Sequence, residues 1–271
     1  MAYTLNTVDL FTYGIMAGHI ESSNIAIGGA FDMPARIGDV FHDWGDDNGL
    51  EIYSASGDLF WGGRDITFEG HISGARTTIY SALNSFYGDV SSVSGLSVFS
   101  TPYGDFNVYP KIANPTHFID ISKLRIEFRE PVVDISGGSM PATGSDKYMI
   151  DNIPMSSFGL YTHEYKGVIG LPEMKEQLYT KIEAEGFRIS KREAGVVDFT
   201  GWLIANDLIT FKNNIKNLYA LFQSEGERTF SINNQATITG VPIKGFKVDN
   251  VIIADEVIAR FKTEITVSSI V

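Results

Sequence analysis

The feature that most restricts this chain is an internal duplication. Asp65 to Phe86, DITFEGHISGARTTIYSALNSF, recurs in degenerate form at Val196 to Phe222, VVDFTGWLIANDLITFKNNIKNLYALF. Each copy reads as a strand, a glycine break and an amphipathic helix. Phe68-Glu69-Gly70 answers Phe199-Thr200-Gly201 at an offset of 131, and Leu83 answers Leu218 at 135. That spacing predicts about four more residues between strand and helix in the second copy. Downstream, GLSVF from Gly95 answers RTFSI from Arg228, and EFREPVVDI from Glu127 answers RFKTEITVSSI from Arg260 at an offset of 133. Upstream, LFTYGI from Leu10 matches MSSFGL from Met155. Self-similarity at nearly fixed spacing means two copies of one supersecondary module.

The 271 residues divide into two modules of ordinary domain size. Ser136 to Asp146, SGGSMPATGSD, holds no apolar residue pattern that could be buried, so it predicts a linker or exposed loop. The predicted organisation is a first domain over 1–135, a linker over 136–150 and a second domain over 151–271. With 27 glycines and 12% aromatic residues, the fold is predicted to be mainly β (α+β). The chain has no cysteine, which removes disulfides and thiol chemistry. No run of about 18 apolar residues predicts a membrane span, and the N-terminus does not read as a signal peptide. The expected location is cytosolic. Net charge is −12, from 21 Lys and Arg against 33 Asp and Glu, which argues against a surface that grips nucleic-acid phosphates.

Periodicity predicts a helix over Thr77 to Tyr87, with Ile79, Leu83 and Phe86 as its apolar stripe and Thr77 or Thr78 as N-cap. Its counterpart runs from Ile209 to Phe222, with Ile215, Leu218 and Phe222 buried. A third helix is predicted between Pro172 and Gly186, where Met174, Leu178 and Ile182 stand four apart. Alternating stretches predict strands, among them Leu124 to Ile135 and Val257 to Val267. Pro34 to Asp47 is turn-rich, and Leu50 to Ser54 is a short strand.

No catalytic, cofactor or metal site is predicted. The histidines, His19, His42, His71, His117 and His163, form no paired motif. Asp39, Asp43, Asp46 and Asp47 cluster around Trp44 but lack the glycine and closing glutamate of a calcium loop, so a solvated acidic loop is the expectation. The aromatics Trp61, Tyr80, Tyr87, Trp202, Tyr219 and Phe222 could make a sugar platform, but core packing or subunit contact is favoured, because several lie on the packing helices. Gly70 and Gly201 are expected to mark a bulge or a close backbone approach.

Arg64-Asp65-Ile66-Thr67-Phe68-Glu69-Gly70-His71-Ile72, followed by a short amphipathic helix and paired strands, resembles the tube-like domain of long-tailed bacteriophage tail proteins, most closely the distal tail proteins. VDFTGWLIAN repeats the pattern in the second half. The resemblance implies two tandem tail-tube-like β-sandwich domains, each with a flanking α-helix. It implies a virion structural protein of tail tube, distal tail or baseplate, made in a bacterial host and acting in genome ejection. Implied partners are copies of itself in a ring, plus neighbouring tail tube, tape-measure and tail hub proteins, with DNA passing through the channel without specific binding. Distal tail proteins of the common type carry one tube domain and a distinct second domain, whereas this chain reads as two tube domains. The ring is then either a trimer of pseudo-sixfold symmetry or a hexamer. The competing reading is a carbohydrate-binding β-sandwich pair for host attachment, with Trp44, Trp61 or Trp202 as platforms.

Overall fold

The computed structural model describes residues 2–42, 50–168, 174–180, 185–192 and 195–270. The protein is mainly β, and two long helices stand out among the described residues: α1 (Arg76–Ser91) and α2 (Leu208–Gln223). In one antiparallel sheet seven strands run in the order Val8–Asp9, Thr4–Leu5, Ser97–Thr101, Gly104–His117, Ile121–Glu130, Arg64–Ser73, Met16–Ala17. A second sheet repeats that order as Ile153–Pro154, Tyr148–Ile150, Arg228–Ile232, Ala236–Val241, Val257–Ile270, Gly195–Ala205, Leu160–Lys166. Each begins with a tight hairpin whose turn residues have positive φ, Asn6 and Thr7 in one and Asp151 and Asn152 in the other. Such two-residue turns match the twist of the strands they join. A short 3-10 turn follows in both, Leu10–Tyr13 and Met155–Phe158, ending on left-handed Gly14 and Gly159. This is the correspondence that LFTYGI and MSSFGL predict.

Strand register makes the duplication quantitative and corrects part of it. Ile66, Phe68, Gly70 and Ile72 face the core of the first sheet, and Val197, Phe199, Gly201 and Leu203 do so in the second, at a constant offset of 131. Both helices start after two connecting residues and both have 16 residues, so the helices correspond at an offset of 132. Leu83 therefore answers Ile215, not Leu218, and no four-residue insertion separates strand from helix. Ser97–Thr101 answers Arg228–Ile232 at 131, because Leu5 pairs with Phe99 as Ile150 pairs with Phe230. The last strands are offset by 137, since His71 faces Lys123 while Trp202 faces Arg260.

The helices also differ from expectation at their starts. Ala75, not a threonine, is the N-cap residue of α1, and it makes no side-chain cap bond. α1 then continues through Gly88 to Ser91, where the Ser92 hydroxyl donates to the Asp89 carbonyl at 2.7 Å. α2 is capped by Asp207, whose carboxylate accepts from the Thr210 amide at 2.7 Å. Within the span predicted as a helix between Pro172 and Gly186, the described residues belong instead to an antiparallel pair, Met174–Thr180 with Glu185–Arg192, and Ile182 lies outside the described residues. A spacing of four is a multiple of the strand period as well as close to the helical one, so Met174, Leu178 and Ile182 fit either.

Each sheet packs its apolar face with its helix. Phe68, Phe99 and Phe128 are fully buried, and the rings of Phe99 and Phe128 stack at 4.7 Å. Phe199 and Phe230, the counterparts of Phe68 and Phe99, lie at 5.2 Å against 6.0 Å in the first sheet, and Phe246 gathers Tyr219, Phe222 and Phe261 around it at 5.1–5.9 Å.

Two compact units result, and neither is contiguous. One comprises 1–32, 62–134 and 248–255; the other comprises 33–61, 135–247 and 256–271. Within the first unit the side chain of Asn24 accepts from the Ile253 amide at 2.8 Å and donates to the Ile253 carbonyl at 2.7 Å, and Ser23 accepts from the Val251 amide. Residues 18–26 that make this clasp are an excursion in the edge strand, between Ala17 and Ile27. The second copy spans the same place with the continuous strand Leu160–Lys166. Nearby, Arg64 pairs with Glu130 at 2.6 Å with both side chains almost wholly buried, and also donates to the Asp32 carbonyl. The Asp32 carboxylate in turn accepts from the Val248 amide at 2.8 Å.

Candidate functional site

Among the described residues no three side chains of His, Asp or Glu come together as metal ligands. His117 accepts or donates through Nδ1 to the Ser122 hydroxyl at 3.0 Å and meets Tyr80 edge-on, both on the surface. Asp39 is exposed; Asp43, Trp44, Asp46 and Asp47 lie outside the described residues. Of the predicted aromatic group, Tyr219 and Phe222 are core residues, Trp61 is half-buried, and Tyr80 sits on the outer side of α1. Tyr87 lines an open groove of about 830 Å³ with Val90, Leu96 and Tyr109. Its hydroxyl is buried without a partner among the described residues, and burial pushes its titration up.

Gly70 and Gly201 occupy equivalent inward positions for one reason. A Cβ on Gly70 would stand 2.8 Å from the Met16 carbonyl oxygen, and one on Gly201 would stand 2.6 Å from that of Tyr161. The edge strand of each sheet crosses close over this point, as a glycine there implies.

The charged and aromatic groups outside the two cores are solvent-facing. On the outer face of the first sheet, charges alternate across strands. Asp65 pairs with Arg129 at 3.2 Å and Lys111 at 3.3 Å, and Arg125 pairs with Glu127 at 3.3 Å and Glu69 at 3.5 Å. This lattice neutralises itself, and exposed pairs of this kind contribute little stability. The equivalent face of the second sheet holds Glu164, Lys166, Asp198, Lys262 and Glu264, with Lys244 and Lys247 beside them. Here Lys166 and Lys244 are taken up by Glu164 and Glu264, whereas Arg260 and Lys247 have no carboxylate partner among the described residues.

One row on this face departs from the duplication. Tyr161 faces Trp202 across the edge pair, and Trp202 faces Arg260 across the next, so the three side chains stand side by side on adjacent strands. Tyr161 is 51% exposed and Trp202 38%. The corresponding row of the first sheet is Met16, His71 and Lys123. Sequence periodicity places Trp202 and Arg260 outward, but only register reveals that they share a row with Tyr161.

A second outward feature is the turn joining Gly104–His117 to Ile121–Glu130. The Phe118 amide donates to the Ile121 carbonyl at 2.8 Å, closing a tight turn. Phe118, Ile119 and Ile121 are 57%, 89% and 43% exposed, and the Asp120 carboxylate between them meets no partner among the described residues. Surfaces also end in strand edges: Val8–Asp9 and Ile153–Pro154 at one side of their sheets, Leu160–Lys166 at the far side of the second. No helix of the described residues is long and apolar enough to cross a membrane.

The chain matches no known family profile and no curated protein sequence. In backbone structure it is similar to the crystal structure of the SPP1 Dit protein, described as a paradigm of hub adsorption apparatus in phages that infect Gram-positive bacteria, with 99% of each chain covered, 10% sequence identity and a TM-score of 0.38.

Proposed function

We propose that the chain is a non-enzymatic structural component of a bacteriophage or phage-like tail, building a ring of tube-like domains around an axial DNA channel at the tail tip or tube. Three copies of pseudo-sixfold symmetry supply six domains; a hexamer with one domain of each copy lining the hole is the other arrangement. The observation that carries this reading is the same seven-strand order and helix placement twice in one chain. Each sheet ends in strand edges, and unpaired edge groups are satisfied by pairing with neighbours, which a closed ring does without leaving an open end. A net charge of −12 suits a lumen along which DNA slides, because carboxylates repel phosphates. Neighbours in such a particle are the tail tube, tape-measure and hub proteins.

Native mass spectrometry with negative-stain microscopy tests the reading: the expected species has three or six times the 29.8 kDa chain mass and an axial hole. A 29.8 kDa species persisting at high protein concentration defeats it. The exposed pair Tyr161 and Trp202 favours one second reading, a carbohydrate-binding surface for host attachment, since flat aromatic faces suit sugar rings. A glycan array on the intact protein separates the two.

A further inference from the structure

The outward turn of one repeat and the aromatic row of the other are each complete as half of a contact. Tyr, Trp and Arg are the side chains that dominate interface energetics. Tyr161, Trp202 and Arg260 stand together here, and the duplicated position in the first sheet carries Met16, His71 and Lys123 instead. The row thus arose in one repeat only, which fits a contact between unlike surfaces. The Phe118–Ile121 turn offers what the row lacks: three exposed apolar side chains around the Asp120 carboxylate, which meets no partner among the described residues. The row offers two aromatic faces beside the Arg260 guanidinium, which has no carboxylate partner among the described residues, on a protein whose overall charge is −12. Apolar matches aromatic, and the Asp120 anion matches the Arg260 cation.

We propose that the Phe118–Ile121 turn of one copy docks on the Tyr161–Trp202–Arg260 row of a second copy, with Asp120 pairing with Arg260. Because the two patches differ, the contact is head-to-tail, and repeating it closes a ring when the rotation between copies divides a full turn. This inference rests on the ring reading and names the joint between its subunits.

The test is charge exchange in the full-length chain, read by native mass spectrometry, with circular dichroism to verify folding. All the substituted side chains point to solvent, so the fold is expected to be retained. Arg260→Glu and Asp120→Arg are each expected to dissociate the assembly, and the double variant to restore it. Trp202→Ala is expected to weaken association by about thirtyfold or more, the effect of removing an interface anchor. Wild-type protein that assembles while both charge reversals assemble equally well overturns the joint and leaves the ring intact. Single variants that dissociate without rescue in the double variant also overturn it. A Trp202→Ala protein that keeps full assembly but loses glycan-array binding assigns the row to sugar and overturns the joint. Wild-type protein that is monomeric throughout removes the ring reading itself.

Discussion

Gly201→Ala perturbs the second sheet at the point where its edge strand crosses. The added Cβ would lie 2.6 Å from the Tyr161 carbonyl oxygen and 3.2 Å from the Thr162 backbone, against an ordinary contact distance of 3.4 Å or more. Relieving the contact therefore moves Leu160–Lys166 away from Gly195–Ala205 by about 0.8 Å. The N–H···O distances next to Gly201 then stretch from about 2.9 Å to about 3.7 Å, beyond hydrogen-bonding range. Losing two such bonds costs roughly 1–3 kcal/mol, and the lower backbone entropy of alanine returns roughly 0.5–1 kcal/mol. Overpacking against Tyr161 adds to the loss, so the net destabilisation is expected at about 1–3 kcal/mol. Urea unfolding measures it as a lower midpoint. Gly70→Ala meets the Met16 oxygen at 2.8 Å, but its edge strand there is only Met16–Ala17, so its effect is expected to be smaller. Gly88→Ala is the control: nothing lies within 4 Å of its Cβ position in α1, and alanine is expected to stabilise by up to about 1 kcal/mol. An unfolding midpoint for Gly201→Ala at or above wild type, with unchanged slope, refutes the argument from close approach.

Four other outcomes follow from described contacts. Glu130→Ala strands Arg64 without its carboxylate in a nearly dry site and is expected to cost about 3–5 kcal/mol, read from thermal or urea unfolding. Leu83→Ala and Ile215→Ala, at equivalent buried positions of α1 and α2, are each expected to cost about 2–5 kcal/mol by the same measurement. Removal from water, and then the Asp89 carboxylate bonded at 2.5 Å, push the Tyr13 phenol up to about 12 from its usual 10.0. Its folded pKa exceeds the unfolded one, so that contribution to stability is complete below pH 10 and declines as pH rises toward about 12. Tyr13→Phe is expected to flatten this part of a stability-versus-pH curve. A fragment of residues 1–135 lacks 248–255, and is expected to show no cooperative thermal transition until a peptide spanning 248–255 is added.

The duplication was legible in the sequence because the inward strand positions keep hydrophobic or glycine character in both copies: Ile66, Phe68 and Gly70 against Val197, Phe199 and Gly201. Its exact alignment was not, because Leu83 resembles Leu218 more than it resembles Ile215, and burial on a helix tolerates any large aliphatic residue. The Met174 to Ile182 stretch misled for a related reason, since equal spacing of apolar residues does not choose between helix and strand without the pairing partner. Trp202 was visible as a candidate from its type alone. Its companionship with Tyr161 and Arg260 depends on register between strands that stand 41 and 58 positions apart in sequence, and composition carries no record of that. The exposure of Phe118 and Ile119 was hidden likewise, because apolar residues between two strands read as continuation of one of them.

The clasp of Ser23 and Asn24 on residues 251–253 sets the order in which the molecule can mature on the ribosome. Asp255, the end of the last piece of the first unit, follows Asp134 by 121 positions. At translation rates of about 5–20 residues per second that is a delay of roughly 6–24 s. Throughout it the nascent first unit carries an unfilled seat at Ser23 and Asn24. The second unit meets the opposite situation, for its borrowed piece, 33–61, has left the exit tunnel long before the rest of it is made. On a crowded polysome the open seat is accessible to the 248–255 segment of a chain further along the message, so exchange of that segment between chains competes with self-completion until the C-terminal residues emerge.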